Sequence, residues 1–348
     1  LGELSRQGRS VLHATGSSAF TQTLRRVVGS RAPRVCGMFR YFNQFGELPP
    51  NEIDVLLCDE AHRIRETSAN RYTRASARTG TPQVEELLRV ARVPVFLLDE
   101  HQVVRPGELG SVDEIGSAAR KLGIQVRCVP LDGQWRCGGS RAYEQWVLRL
   151  LGLAPGGPVP WQGDENFVVR LADSPQHLEA LLRRQHEQGY TARITAGYCW
   201  PWIDPRPDGS LVDDVVVGDW RRPWNNKRDT AVGTAPGRPF WASDPAGFGQ
   251  VGCVYTAQGF EYDWSGVVLG PDLAWRGSRW VARPDRSFDT AVKRAPLPEF
   301  DQAVRNTYKV LLTRGMRGSV LHSTDAETQD LLRGLLDRSR PRARPALV

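Results

Sequence analysis

Ile53, Val55, Leu56, Leu57 and Cys58 form a near-continuous apolar run, and the acidic pair Asp59-Glu60 follows at once. So short a run with so little polarity fits a strand covered on both faces, which means a parallel sheet flanked by helices. Parallel neighbours need crossover connections, so helices must lie on either side. The flanking sequence supplies them. Residues 11–14, 93–98 and 124–129 read as further strands. Residues 20–28, 83–92, 111–122 and 140–150 carry helical spacing, and Ser111 with Glu114 three positions later reads as a helix start. The βαβα order predicts an α/β fold with a doubly wound parallel sheet.

A second α/β pattern follows the Pro/Gly-rich stretch 153–160, the expected domain junction. Domain 1 is expected at 1–152 and domain 2 at 153–337. Strands are expected at 167–171, 193–197, 251–255, 267–269 and 319–322, and helices at 175–188 and 301–310. Residues 200–250 read as an insertion rich in Trp, Pro, Gly and Arg. Its Trp200, Trp202, Trp220 and Trp224 lie among Arg221, Arg222, Lys227 and Arg228. Such a mixture suits stacking on single-stranded bases, or else the packing of a loop-rich subdomain. The basic, Pro-rich tail 338–348 is expected to be disordered.

A length of 348 residues allows two cores of ordinary size. The net charge of +7, dominated by Arg, suits a polyanionic partner. A GC-rich bacterial coding bias produces the same excess. No stretch approaches the roughly 20 apolar residues that cross a bilayer, so no membrane partner is expected. No secretory leader opens the chain, and the six cysteines contain no Cys-x-x-Cys pair. Both point to a cytoplasmic protein with reduced, mostly buried thiols.

The ends of the strands carry the chemistry. The carboxyl edge of a parallel sheet faces the crevice where ligands bind. Phosphoryl transfer needs one carboxylate to hold Mg²⁺ and a second group to orient water, roles that suit Asp59 and Glu60. A solvated helix start is the alternative. Leu97-Leu98-Asp99-Glu100-His101-Gln102 ends another strand, where an amide can sense a terminal phosphate. In Trp135-Arg136 the aromatic can stack on a base while the Arg reaches a phosphate, or the Trp can be core and the Arg surface. In the segment 255–263, Gly259 lets the backbone approach a ligand and Glu261 can accept a ribose hydroxyl; a tight turn is the alternative. The segment 306–318 is expected to end a helix with Arg314 and Arg317 three residues apart, so both can lie on one face. There an Arg can neutralise charge developing on a γ-phosphate, or simply complement the helix dipole.

The order of these segments resembles motifs II, III, IV, V and VI of superfamily 1 helicases. More narrowly, Asp59 to Arg63, Gln134 to Ser140, Thr256 to Glu261 and Asn306 to Gly318 are similar to the signatures of the Schlafen group 3-like DNA/RNA helicase domain family. The resemblance implies two RecA-like domains that bind ATP and Mg²⁺ and act on single-stranded DNA or RNA. It implies that Asp59 holds Mg²⁺, Glu60 activates water, and Gln102 contacts the γ-phosphate. Trp135 would stack near the base and Arg136 would reach the phosphates. Gly259 and Glu261 would meet the γ-phosphate region and ribose, and Arg314 would be the arginine finger, with Arg317 beside it on the nucleotide. Thr15, Ser17 and Ser18 would touch the nucleic-acid backbone. Leu98 departs from the usual Gly, and Trp135 from the usual Tyr or Phe. No Gly-x-x-x-x-Gly-Lys-Ser/Thr loop occurs, and residue 1 is Leu, so the first domain is expected to lack its N-terminal strand and phosphate loop by truncation. The implied function is an ATP-driven helicase-like motor. The alternative is a nucleotide-gated nucleic-acid-binding or signalling module that switches a fused or partner effector domain without unwinding.

Overall fold

The computed structural model describes residues 1–29, 33–69, 73, 78–99, 102–131 and 136–337. They form a mixed α/β chain with two parallel sheets, in two compact units, Leu1–Pro130 and Leu131–Val348.

In the first unit a short helix α1 (Gly2–Arg6) precedes β1 (Val11–Thr15), α2 (Ser18–Gly29), β2 (Phe39–Tyr41), β3 (Ile53–Asp59), α3 (Gln83–Val90), β4 (Ala91–Phe96) and α4 (Val112–Lys121). The strands order β2-β1-β3-β4, all parallel, with Thr15 beside Asp59 in the register. Leu56 and Cys58 of β3 are buried against Val84, Leu87 and Leu88 of α3 and Ile115, Ala118 and Ala119 of α4. The expected cap is present: Ser111 Oγ accepts from Glu114 N at 3.0 Å.

Two expectations for this unit change. The strand after α3 begins at Ala91 and is an edge rather than a strand covered on both faces; Arg92 and Val93 are exposed. Pro94 has no N–H to give a neighbour on both sides, which restricts it to such an edge. The run 124–129 is not a strand. It has the β-branched composition of one, but among the described residues no strand lies beside it, and Val126 and Val129 are exposed.

The second unit contains α5 (Arg141–Leu150), β5 (Val168–Leu171), α6 (Pro175–Glu187), β6 (Ala192–Ala196), β7 (Val215–Val217), β8 (Trp220–Arg222), β9 (Val251–Gly252), α7 (Val254–Ala257), β10 (Tyr262–Leu269), β11 (Leu273–Arg276), β12 (Arg279–Ala282), α8 (Leu297–Leu312), β13 (Gly315–Ser323) and α9 (Ala326–Leu336). Its parallel sheet orders β5-β13-β10-β6-β9. Leu178 and Leu182 of α6 lie close over β10 at Gly266, where an added Cβ would be 2.4 Å from Leu182 Cδ1 and would push these side chains aside.

The units divide at Pro130, earlier than the expected junction at 153–160, because α5 packs with the elements C-terminal to it. Tyr143 Oη donates to Leu312 O at 3.0 Å, Arg305 Nη1 to Leu151 O at 2.7 Å and Trp280 Nε1 to Leu150 O at 2.5 Å. The expected strand 251–255 stops at Gly252. There Thr256 Oγ1 accepts from Cys253 N at 3.2 Å and starts α7 instead. The β11–β12 hairpin and α9 have no counterpart among the expected elements.

The stretch 200–250 is loop-rich, with β7 and β8 as its antiparallel hairpin. Its tryptophans pack it. Trp220, Trp224 and Trp241 are buried, while Trp200 Nε1 and Trp202 Nε1 donate to Val216 O and Asn225 O at 2.8 and 2.9 Å. The buried Arg193 of β6 fastens the subdomain by donating to Trp241 O and Asp244 O at 3.0 and 2.5 Å. Burial lowers its guanidinium pKa to about 10. Four of the six thiols, Cys58, Cys137, Cys199 and Cys253, are buried and all six are free. No described helix is long and apolar enough to cross a membrane.

Candidate functional site

Each unit gathers predicted residues at one edge of its sheet. In the first, the carboxyl ends of β1 and β3 lie side by side. Asp59 ends β3, and its Oδ1 accepts from Glu60 N at 2.8 Å. Its Oδ2 lies 3.2 Å from His13 Nε2. His13 is 9% exposed, with the rings of Phe20 and Phe39 at 6.1 and 5.7 Å. Its Nδ1 has no partner. Facing a carboxylate oxygen, Nε2 is the donor of this contact. Both Asp59 oxygens are thereby steered while the side chain stays 27% exposed.

Glu60 adopts the left-handed region, φ 54° and ψ 44°. A non-glycine residue there costs about 1–2 kcal/mol, and such strain concentrates at functional sites. Its carboxylate is 10% exposed, 3.1 Å from His62 Nε2 and 3.9 Å from Arg63 Nε. Ala61 N donates to Leu97 O at 2.9 Å, lacing this turn to the exit of β4. Gln102 is buried, and its Nε2 donates to Asp99 Oδ2 at 2.9 Å. Glu100, from the same predicted segment, lies outside the described residues, as does His101.

The turn after β1 uses its own hydroxyls. Thr15 Oγ1 accepts from Ser17 N at 3.1 Å, and Ser17 Oγ caps α2 by accepting from Phe20 N at 3.3 Å. Both side chains are buried, while Ser18 is half-buried and Gly16 exposed. Of the three predicted nucleic-acid contacts, Ser18 therefore lies nearest the surface.

In the second unit the charged groups gather at the amino ends of β10 and β13. Arg136 Nε is 3.5 Å from Glu261 Oε1, with side chains 29% and 42% exposed. Cys137, Gly138 and Gly139 follow with φ of 53°, 62° and 85°. A Cβ at Gly138 would stand 2.7 Å from Met316 O and 2.9 Å from Asn166 O, so this tight backbone turn needs glycine both for its φ and for its space. It brings Cys137 Sγ to 3.9 Å from Thr313 O, next to Arg314. Burial pushes the Cys137 thiol up to about 12, against the opposing field of Arg314. It is a packed thiol, not a nucleophile. Arg314 is 1% exposed; Nε donates to Val310 O at 3.0 Å and Nη1 to Phe260 O at 3.5 Å. Gly259, with φ 89°, turns the chain between α7 and β10.

Arg317 departs from expectation. It does not share a helical face with Arg314, because α8 ends at Leu312 and β13 starts at Gly315. Thr313 Oγ1 bonds back to Lys309 O at 2.9 Å and stops the helix. Arg317 instead points to solvent, 3.1 Å from Asp263 Oδ1 and 4.8 Å over the Tyr190 ring. Trp135 lies outside the described residues.

Sequence reasoning missed His13 and Asn225. Strand period places His13 on the face of Thr15, a signal that was there to read. Asn225 Oδ1 accepts from Thr256 Oγ1 at 3.0 Å and ties the subdomain to the segment carrying Gly259 and Glu261, a contact no local pattern announces.

A family model described as Schlafen group 3, DNA/RNA helicase domain, matches residues 1–325. An uncharacterized protein of Saccharomyces cerevisiae, YPL245W, is 24% identical over 314 residues, covering 80% of this chain. The chain spans 64% of that relative's length.

Proposed function

The chain belongs to the Schlafen group 3, DNA/RNA helicase domain family, and on that premise we propose that it is the motor part of an ATP-hydrolysing, helicase-like protein built from two RecA-like units. The reading rests most on Arg136, Glu261 and Arg314. They come from three distant segments, yet meet at the amino ends of β10 and β13. Two guanidiniums and a carboxylate gathered in this way suit the phosphates and ribose of a nucleoside triphosphate.

The division of labour follows from the two groups. Asp59, steered by His13 and the Glu60 amide, has the exposure of a Mg²⁺ ligand. Among the described residues no group of three His, Cys, Asp or Glu side chains could hold a metal alone. The ion would be bound through one or two carboxylates together with substrate phosphates and waters. When bound, Mg²⁺ would neutralise charge on the β- and γ-phosphates. Glu60, half-buried beside His62, would hold the proton of the attacking water. Arg314 and Arg136 would stabilise the charge on the transferring phosphoryl group, and Glu261 would meet the ribose. Single-stranded DNA or RNA would run over the turn at Gly16 and Ser18.

The test is ATP turnover by the full-length protein, with and without single strands. Glu60→Gln and Arg314→Ala should each abolish strand-stimulated turnover, and unchanged turnover in both would end this reading. Strand displacement is a separate measurement, since the fold carries nucleotide handling more directly than unwinding.

A further inference from the structure

A second feature of the Leu131–Val348 unit lies outside the nucleotide group. Phe288 is 46% exposed, yet its neighbours Ser287 and Asp289 are 3% and 8% exposed. The mount is rigid. Phe288 N donates to Tyr198 O at 2.8 Å, and Asp289 N to Ser287 Oγ at 3.2 Å. Asp289 accepts from Ala291 N at 3.0 Å through Oδ1 and from the Tyr255 hydroxyl through Oδ2. Val292 N and Lys293 N both close onto Asp289 O, at 3.1 and 2.9 Å. A loop with this much internal bonding leaves its Phe in water with no core to fill. The Lys293 ammonium stands 5.9 Å from the Phe288 ring centroid. Arg283, Lys293 and Arg294 have no carboxylate partner among the described residues, and the Asp289 carboxylate is taken up by its own loop donors.

We propose that Phe288 is a stacking platform for a base of single-stranded nucleic acid, with Lys293 and Arg294 taking the adjoining phosphates. An aromatic face beside unpaired cations is what sequence-tolerant single-strand binding requires: stacking suits every base, and the cations follow the backbone. The platform is joined to the nucleotide group. Asp289 bonds Tyr255 on α7, and α7 leads directly into Gly259 and Glu261. A strand seated on Phe288 therefore bears on the segment that meets ATP, a mechanical route for strand-stimulated turnover. The inference rests on the nucleic-acid reading above.

The test is fluorescence anisotropy of the full-length protein with labelled oligo(dT) and oligo(U) across a salt series. Phe288→Ala should weaken binding about tenfold at unchanged salt slope, and Phe288→Trp should keep it. Lys293→Ala should lower the magnitude of the slope by roughly one. Thermal unfolding of the Ala variants should match the parent, because both side chains are exposed. Tight binding by the parent with all three variants indistinguishable from it would overturn the platform alone. Absence of binding by the parent to either oligonucleotide would instead overturn the nucleic-acid reading, and the platform with it.

Discussion

The two parallel sheets gather their proposed site residues at opposite ends. In the first unit Asp59 and Glu60 leave the carboxyl end of one strand, and one left-handed residue suffices to aim them. In the second, Arg136, Glu261 and Arg314 approach the amino ends of β10 and β13 from three segments. The first arrangement is local, so a substitution there should change chemistry and little else. The second is assembled by packing, with Arg314 bonded to backbone carbonyls of both α8 and the turn before β10. Changes there should disturb fold and chemistry together.

The largest expected effect tests that coupling. Arg314→Ala should lower kcat by about 10³–10⁵, the range for an arginine finger. It should also destabilise the second unit by about 1–3 kcal/mol, since Val310 O and Phe260 O lose a buried donor. Turnover and thermal unfolding read the two effects. Lost turnover with an unchanged melting curve would show that Arg314 is not structural, and the contrast between the units would weaken.

Glu60→Gln comes next. Its kcat should fall by about 10²–10⁴, as expected when a proton acceptor is replaced by an amide. Stability should move by less than about 0.5 kcal/mol, because the amide keeps the shape of the carboxylate beside His62. A large drop in melting temperature would mean that the carboxylate holds the turn rather than the water.

Gly138→Ala should fall between chemistry and packing. A left-handed alanine costs about 1–2 kcal/mol before the contact with Met316 O is counted. The displaced turn carries Arg136, so the KM for ATP should rise along with the loss of stability. Unchanged stability would show that the turn adapts, and that Arg136 is placed by something other than the Gly138 backbone.

How much of this was legible in the sequence follows the same division. The strand and acidic pair at 53–60 could be read directly, since apolar periodicity and the residues that end it are local. The ends of helices were legible where a capping hydroxyl marked them, as at Ser111. Residues 124–129 were not, because strand composition says nothing of whether a neighbour exists to complete the ladder. Arg317 was misplaced for a similar reason: helical spacing was carried past Thr313, where a side chain bonding back to Lys309 O ends the helix. In the subdomain at 200–250 composition allowed both stacking and packing, and only the indole bonds to Val216 O and Asn225 O separate them.

The smallest effect contrasts the two units in their helix caps. In the first, α4 is capped by neutral Ser111. In the second, α9 is capped by Asp325, whose Oδ1 accepts from Thr328 N at 3.0 Å while Arg276 donates to both oxygens at 2.8 and 2.6 Å. Those donors, Arg276 foremost, hold the Asp325 carboxyl down from its ordinary 3.8 to about 2. A group whose pKa is lower in the folded state stabilises the fold fully above its unfolded pKa, and the contribution fades as the pH falls toward the folded one. The window here runs from about pH 4 down to about 2. Arg276 is 42% exposed, so solvent screens the ion pair and keeps its contribution small. Asp325→Asn keeps the cap and removes only the charge. Its stability deficit in urea unfolding should be largest at about pH 5 and should shrink by about pH 3. Ser111→Ala should cost about 1 kcal/mol at both values, because nothing in that cap titrates. A deficit for Asp325→Asn that stayed constant between those pH values would show that Arg276 contributes nothing through charge, and that the two caps are alike.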